Sequence, residues 1–269
     1  MLFWLEKSRF MKTIDYNRII EVVKSTKSIV LNEKLRNEIK MKGDADFVTE
    51  VDFQISNYLK RELSIITPQV GFMSEEESFI VVPTRWILDP IDGTTNLVYG
   101  YNICSVSLAL CVDETVEFGV VYNPFNDDLF VAYRGRGAFY NEKQLPIIND
   151  RNLKECLIEF GAGSTKKQYS DEIFDIAKIT FMKCLDLRRI CSSALAICYV
   201  ASGRINGYFE RELKPWDYAA AGLVLKECGG YMSDWNGNEI RYISPTSFVC
   251  GSKKAYEFLI SNIRDKISN

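Results

Sequence analysis

Two periodicities of apolar and polar positions divide the chain. From Asp15 to Lys40 the apolar residues Ile19, Ile20, Val22, Val23, Ile29 and Val30 recur at helical spacing among charges, which predicts one amphipathic helix. The stretch "KGDADFV" (42–48) is expected to be a loop. Thr49 followed by Asp52 has the form of a capping box, so a second helix is expected from Thr49 to Leu63. "QVGFM" (69–73) and "RWIL" (85–88) predict short strands, the second ending at Asp89-Pro90. "ICSVSLALCV" (103–112), "TVEFGVVYN" (115–123) and "DDLFVAYRG" (127–135) are β-rich runs separated by polar, charged or Pro-containing turns, the pattern of an antiparallel meander. After Asn149 short strands such as "ECLIEF" and "KCLDLR" alternate with helical segments at 170–180, 192–202 and 217–228, and "TSFVCGS" with "KKAYEFLISNIRDK" closes the chain. This alternation implies an α/β protein, sheets with helices packed on them. No repeat, low-complexity tract or flexible linker interrupts it. One compact unit is expected over 11–269, with halves meeting near 149 and 150, preceded by a short extension at 1–10.

Composition narrows the chemistry. The chain has 269 residues and a formal net charge of -3, so no basic excess points to a nucleic-acid surface. It contains no histidine, which excludes imidazole acid–base work, Ser-His or Cys-His pairs and imidazole metal ligation. A metal here must be held by carboxylates, carbonyls or thiolates. The eight cysteines form no C-x-x-C pair and mostly sit in apolar runs, as reduced core thiols of a cytoplasmic protein do. The apolar run Leu2 to Leu5 is too short for a signal peptide or a membrane span, and no later segment reads as one, so no membrane partner is expected.

Against that background "DPIDGTTN" (89–96) stands out. Pro90 disfavours α conformation at Asp89, so the strand should stay extended until that carboxylate emerges. Gly93 lets the backbone turn or approach a ligand, and Thr94 to Tyr99 can begin a helix whose first N–H groups lack internal partners. Carboxylates suit a hard cation and free amides suit an oxyanion, and the two belong together where Mg²⁺ bridges a phosphate to protein. The same octapeptide also makes a good turn with a helix cap. Three further features carry acids in comparable places: "SEEES" (74–78), "DADFVTEVD" with Asp46 just before a helix, and "KPWDYAAAGLVLKECGG" (214–230), where Asp217 opens an apolar helix. Each alone reads equally as a solvated loop, a turn acid or an N-cap.

Together these segments resemble the inositol monophosphatase family of Mg²⁺-dependent, lithium-sensitive phosphatases. "WILDPIDGTTN" and "PWDYAAAGLVLKECGG" are similar to its two signatures, and "DFVTEVD" and "SEEES" fall where it has Asp-Leu-Val-Thr-x-x-Asp and Gly-Glu-Glu-Ser. The order holds over roughly residues 15–265. The resemblance implies a layered α-β-α-β-α sandwich, commonly a homodimer, and two or three Mg²⁺ per subunit. By that resemblance Glu75, Asp89 and the Ile91 carbonyl hold one ion, Asp89, Asp92 and Asp217 a second, and Glu75 helps with a weaker third. Glu76 is the alternative to Glu75, because three glutamates stand where the family usually has two. The Gly93 and Thr94 amides cradle the phosphate, while Asp46 and Thr94 orient and help deprotonate the attacking water. Ser193, Ala194 and Glu210 face the alcohol part of the substrate, with Asp92 and Asp217 nearby. In "ICSSALAICYVASGRINGYFE" Ser192 is taken to stand where the family usually has glycine, and Leu195 where it has a second alanine.

The activity so implied is hydrolysis of a small polyol or sugar phosphate, inositol 1-phosphate first. Fructose bisphosphate, histidinol phosphate and nucleotide 3′-phosphates are the alternatives within the family. Arg188 and Arg189 could serve a second phosphate, although a solvated or structural role is the better expectation for them. A D-x-D-G-T phosphatase with an aspartate nucleophile spaces its acids by two, whereas Asp89 and Asp92 are three apart with proline between. A non-catalytic protein that binds phosphorylated ligands on the same scaffold is the reading from another class.

Overall fold

The computed structural model describes residues 11, 13–43, 46–76, 81–163 and 167–267, so the extension at 1–10 and the end of "SEEES" lie outside the described residues. The single helix predicted over 15–40 is broken. Helix α1 covers Tyr16–Ser25, two short turns follow at Lys27–Val30 and Glu33–Arg36, and the chain then becomes strand β1 (Ile39–Gly43). Asn32 causes the second break, since its side chain accepts from the Lys34 and Leu35 amides and starts a new helical turn. Strand β1 pairs antiparallel with β2 (Asp46–Thr49), so the described residues of the expected loop at 42–48 lie in paired strands. Helix α2 (Glu50–Ile66) opens with the predicted capping box between Thr49 and Asp52.

Strands β3 (Gly71–Ser74) and β4 (Thr84–Asp92) follow. Pro90 does not end β4. The strand continues to Asp92, and the pairing with β5 (Ser105–Val112) shifts between Asp89, opposite Ser107, and Asp92, opposite Ser105. A residue without an N–H is accommodated at such a bulge, and the bulge re-aims the side chains around it. Helix α3 (Thr94–Val98) separates β4 from β5, and the meander continues through β6 (Thr115–Asn123), β7 (Asp128–Tyr133), β8 (Gly137–Tyr140) and β9 (Lys143–Gln144). These strands form a seven-stranded sheet in the order β3-β4-β5-β6-β7-β8-β9.

The rest of the chain builds a second sheet. Its elements are β10 (Leu157–Phe160), α4 (Ser170–Phe181), β11 (Asp186–Arg188), α5 (Ser193–Ala201), β12 (Gly207–Leu213), α6 (Pro215–Glu227), β13 (Tyr231–Ser233), β14 (Thr246–Gly251) and α7 (Lys253–Ile267). Strand order is β11-β10-β12-β14-β13. Three apolar clusters show the layering. Val23, Val51, Ile55, Leu59 and Leu63 of α1 and α2 pack on Trp86, Leu108 and Phe118 of the first sheet. Ala194, Leu195, Tyr218 and Ala220 of α5 and α6 fill the space between Phe130 and Ala109 of the first sheet and Phe248 of the second. Ile173, Ile176, Leu259 and Ile263 of α4 and α7 cover Ile158, Phe209 and Val249 on the far face. The result is the α-β-α-β-α sandwich. Helix α6 is apolar all round because both its faces are buried, as a helix in a middle layer must be. Among the described residues no helix is long and apolar enough to cross a membrane.

Candidate active site

The bulge in β4 and the turn after it present their polar groups to one cavity of about 400 Å³, whose wall includes Glu75, Asp89, Asp92, Thr94 and Asp217. Gly93 makes the turn with φ 97°, and an added Cβ would lie 3.1 Å from the Ile103 carbonyl and 3.2 Å from that of Cys191. Only glycine combines that backbone with that space. Asn96, the last residue of "DPIDGTTN", donates to the carbonyls of Ile103 and Ile190 at 2.7 Å each, tying α3 to the segment before α5.

Each acid is held in its own way. Asp89 is buried, and its Oδ1 accepts from the Ile91 amide at 3.1 Å. Its carboxyl is held well above the ordinary range, first by burial and then by the charges of Glu75, Asp92, Asp217 and Asp52. Asp92 is the most supported. Its Oδ2 accepts from Ser192 Oγ at 2.5 Å, the Ala194 amide at 2.9 Å and Ser105 Oγ at 3.3 Å, and its Oδ1 accepts from the Ser193 amide at 3.0 Å. Burial raises it to about 6 against the opposing pull of those donors. Asp217 sits in the first turn of α6, where Oδ2 accepts from the Lys214 amide at 2.7 Å. Burial raises it well above the usual range, with the Asp92, Glu75 and Glu210 charges adding to the shift. Ser107 Oγ donates to the Trp216 carbonyl at 3.1 Å, which locks the start of α6 to β5. Glu75 follows β3 and stands on the cavity wall, whereas Glu76 does not.

Asp52 was not anticipated. Its Oδ2 closes the capping box, accepting from Thr49 N at 2.8 Å and Thr49 Oγ1 at 2.7 Å. Its Oδ1 lies 3.1 Å from Thr94 Oγ1, which also donates to the Ile91 carbonyl at 2.9 Å. Burial raises the Asp52 carboxyl to about 6 despite the Thr49 bonds. The sequence marks Asp52 only as a cap, and nothing local announces a contact 42 residues away. Asp46 opens β2, and its side chain lies outside the described residues.

Ser193 and Glu210 also line the cavity and meet there. Ser193 Oγ donates to Glu210 Oε2 at 3.3 Å, and Tyr208 Oη donates to the same carboxylate oxygen. Burial pushes Glu210 up to about 7. Ala194 is fully buried behind this wall, where its amide serves Asp92. The left-handed backbone that favours glycine falls at Cys191 (φ 57°), while Ser192 is extended at φ -141°. The glycine-like position is therefore Cys191, and Ser192 is a buried donor to Asp92. Arg189 reaches the rim, and Arg188 is paired with Asp186.

Burial and the neighbouring carboxylate charges hold Asp89 and Asp217 above the ordinary range, and a hard divalent cation would offset both, so the donor set fits the implied metal. Among the described residues, however, no three of these side chains converge on one point as a finished cage.

The profile of the inositol monophosphatase family matches residues 9–268. This chain belongs to that family. The inositol monophosphatase relatives include Nus factor SuhB of Salmonella typhimurium, 35% identical over 235 residues that cover 86% of this chain and 88% of the relative. An inositol-1-monophosphatase of Mesorhizobium japonicum is 32% identical over 234 residues, covering 86% and 88%. The solved structure of a Thermotoga maritima IMPase superimposes with a TM-score of 0.84 at 27% identity, over 93% of this chain and 96% of that one. The mixed α/β sandwich is thus that of the inositol monophosphatases.

Proposed function

We propose that this inositol monophosphatase family member is a Mg²⁺-dependent phosphomonoesterase acting on a small polyol or sugar monophosphate, with inositol 1-phosphate as the first candidate. One observation supports this most. Glu75, Asp89, Asp92 and Asp217 share a cavity with the Gly93–Thr94 turn and with Ser193 and Glu210. Phosphatases of this family are generally Mg²⁺-dependent, and two or three ions per subunit is the proposed complement.

Glu75, Asp89, Asp92, Asp217 and the Ile91 carbonyl would hold the ions. When bound, Mg²⁺ would supply positive charge that offsets the carboxylates, draws in the phosphate and makes water a stronger nucleophile. The Gly93 and Thr94 amides receive the phosphate oxygens at the start of α3. The Thr94 hydroxyl, held by the Ile91 carbonyl and Asp52, points a lone pair at an attacking water. Asp52, which meets Thr94, is one acceptor for that water's proton, and Asp46 is the other that the family resemblance implies. Glu210 and Ser193 accept and donate to the hydroxyls of the departing alcohol. No covalent phosphoenzyme forms, and trapping an aspartyl-phosphate would instead favour an aspartate nucleophile. The same reading carries lithium inhibition, a homodimer and a cytoplasmic location.

Phosphate release from purified inositol, sugar and nucleotide phosphates, with and without Mg²⁺, tests the proposal. Absence of Mg²⁺-dependent turnover across the panel would favour a phospholigand-binding protein. The name of the Salmonella relative supports a second reading, service as a Nus factor, and counts against excluding partners in transcription. Complementation of a strain lacking that relative by both the native chain and Asp89→Asn would favour this role as independent of hydrolysis.

A further inference from the structure

Asn96 closes "DPIDGTTN" and lines the cavity, yet it has no part in the proposed chemistry. Its Nδ2 donates to the Ile103 and Ile190 carbonyls at 2.7 Å each, one hydrogen to each. Its own carbonyl accepts from the Tyr101 amide at 2.8 Å, so the connection from α3 to β5 folds back on Asn96. Ile190 is held a second time through its amide, which donates to Glu159 Oε1 of β10 at 2.6 Å. The side chains of Ile103 and Ile190 both pack on the apolar cluster of the middle layer.

The two carbonyls that Asn96 joins belong to the segments on which Gly93 rests. A Cβ on Gly93 would lie 3.1 Å from the Ile103 carbonyl oxygen and 3.2 Å from that of Cys191. Gly93 therefore packs against two carbonyls from distant parts of the chain. Asn96 bonds the first of these oxygens directly, and in the second segment it bonds the carbonyl one residue earlier. A primary amide carries two hydrogens on one nitrogen in one plane, which a hydroxyl with its single hydrogen does not. The Gly93–Thr94 turn is thus stitched at both ends to the segment before α5. Asp92 accepts from Ser192, Ser193 and Ala194, and Asn96 donates to Ile190.

Building on the phosphatase reading, we propose that Asn96 is a positioning residue for the substrate's phosphate. It acts through Gly93 and Thr94. By joining Ile103 to Ile190 it fixes the surface under the turn, and so the direction in which those two amides face the cavity. A cradle of amides tolerates little displacement before its hold on a ligand is lost. Asp92 keeps three donors of its own in the segment before and at the start of α5, so the carboxylates do not depend on Asn96 in the same way.

Binding of inorganic phosphate separates this role from turnover. Titration calorimetry would measure Mg²⁺ alone, and then phosphate at saturating Mg²⁺, on the native chain, on Asn96→Ala and on Asn262→Ala as a control. Asn262 lies in the outer helical layer, where its Nδ2 donates to Thr180 Oγ1 at 3.1 Å and to the Ile176 carbonyl at 3.4 Å, so its loss removes a comparable pair of bonds away from the cavity. Both variants should melt below the native chain. Asn96→Ala should bind phosphate about tenfold more weakly or worse, with Mg²⁺ affinity within about twofold of native. Asn262→Ala should bind both as the native chain does. Phosphate affinity unchanged in Asn96→Ala would mean that Asn96 only braces the fold. Phosphate weakened equally in both variants would mean general loosening, and Mg²⁺ weakened as much as phosphate in Asn96→Ala would mean support of the acids. Each of these three results overturns the proposal. Asn96→Ser, which leaves one short hydroxyl in place of the amide, carries the same expectations and the same refutations should alanine not fold. A native chain that binds no phosphate with Mg²⁺ would refute the phosphatase reading and the role of Asn96 with it, whereas native-like phosphate binding by Asn96→Ala in a chain that hydrolyses phosphomonoesters refutes only the latter.

Discussion

Ser192 and Cys191 show how one residue of register alters a prediction. With glycine placed at 192, the serine looks like a local departure. The backbone instead puts the left-handed residue at Cys191 and hands the Ser192 hydroxyl to Asp92. Cys191→Gly should therefore keep activity and raise the melting temperature slightly, since a non-glycine residue in that region costs roughly 1–2 kcal/mol. Ser192→Gly removes a buried donor to a carboxylate, a loss of about 1–3 kcal/mol, and should lower kcat/KM at least tenfold. Asp52 separates two duties that its cap signature had merged. Asp52→Asn should destabilise the fold by about 0.5–2 kcal/mol through the helix cap, and should lower kcat with little effect on Mg²⁺ affinity, as thermal melts and Mg²⁺ titrations of activity would record. The acids proposed to hold metal were legible because their spacing matched signatures. Asp52 was not, because its partner Thr94 lies 42 residues further along the chain.

At the level of elements, strands and helices with clean periodicity were legible: β5, β6 and α4 to α7 lie within a few residues of where the pattern puts them. The failures have physical causes. Asn32 could be read as one more polar face residue, yet its side chain competes with the continuing helix and ends it. Pro90 could be read as a terminator, yet the bulge removes the need for its N–H and carries β4 two residues further. That extension places Asp89 and Asp92 on one cavity although they are three apart. Strand β12, which carries Glu210, was overlooked because its charged and apolar residues mix without a clean alternation. The turn after β4 gives a sharp prediction. Gly93→Ala must hold alanine at φ 97° against two carbonyls. It should cost about 1–3 kcal/mol and abolish activity, seen as a lower melting temperature together with lost turnover.

For the whole molecule, alternation after residue 149 implied sheets with covering helices, but two separate sheets sharing a middle helical layer could not be read from periodicity, only from the family resemblance. Closing the layers buries the acids, and that burial couples the site to global stability. Asp92 and Asp52 are raised to about 6, above the ordinary unfolded carboxylate value near 4. Between those values the folded metal-free chain holds protons that the unfolded chain has released, so these groups contribute less stability as pH rises from about 4 through 6. Mg²⁺ competes with the same protons. Its stabilisation should grow over that window and level off above it, which melting curves with and without Mg²⁺ from pH 4.5 to 8 would show. A gain independent of pH would place the ions elsewhere. Asp89→Asn and Asp217→Asn should abolish Mg²⁺-dependent activity and most of that gain while leaving the circular dichroism spectrum unchanged.

The cavity draws its two walls from different sheets. The proposed phosphate side comes from β4 and the turn after it, while the proposed alcohol side comes from β10, β12 and the start of α5, separate sections of the chain. Descent can therefore alter them separately. On the proposed reading, drift along the second sheet can retune which alcohol is accepted while the hydrolytic half is inherited unchanged, and a library confined to positions 208–212, which leaves the Ser192, Ser193 and Ala194 donors to Asp92 in place, would explore new substrates with little danger of destroying the chemistry.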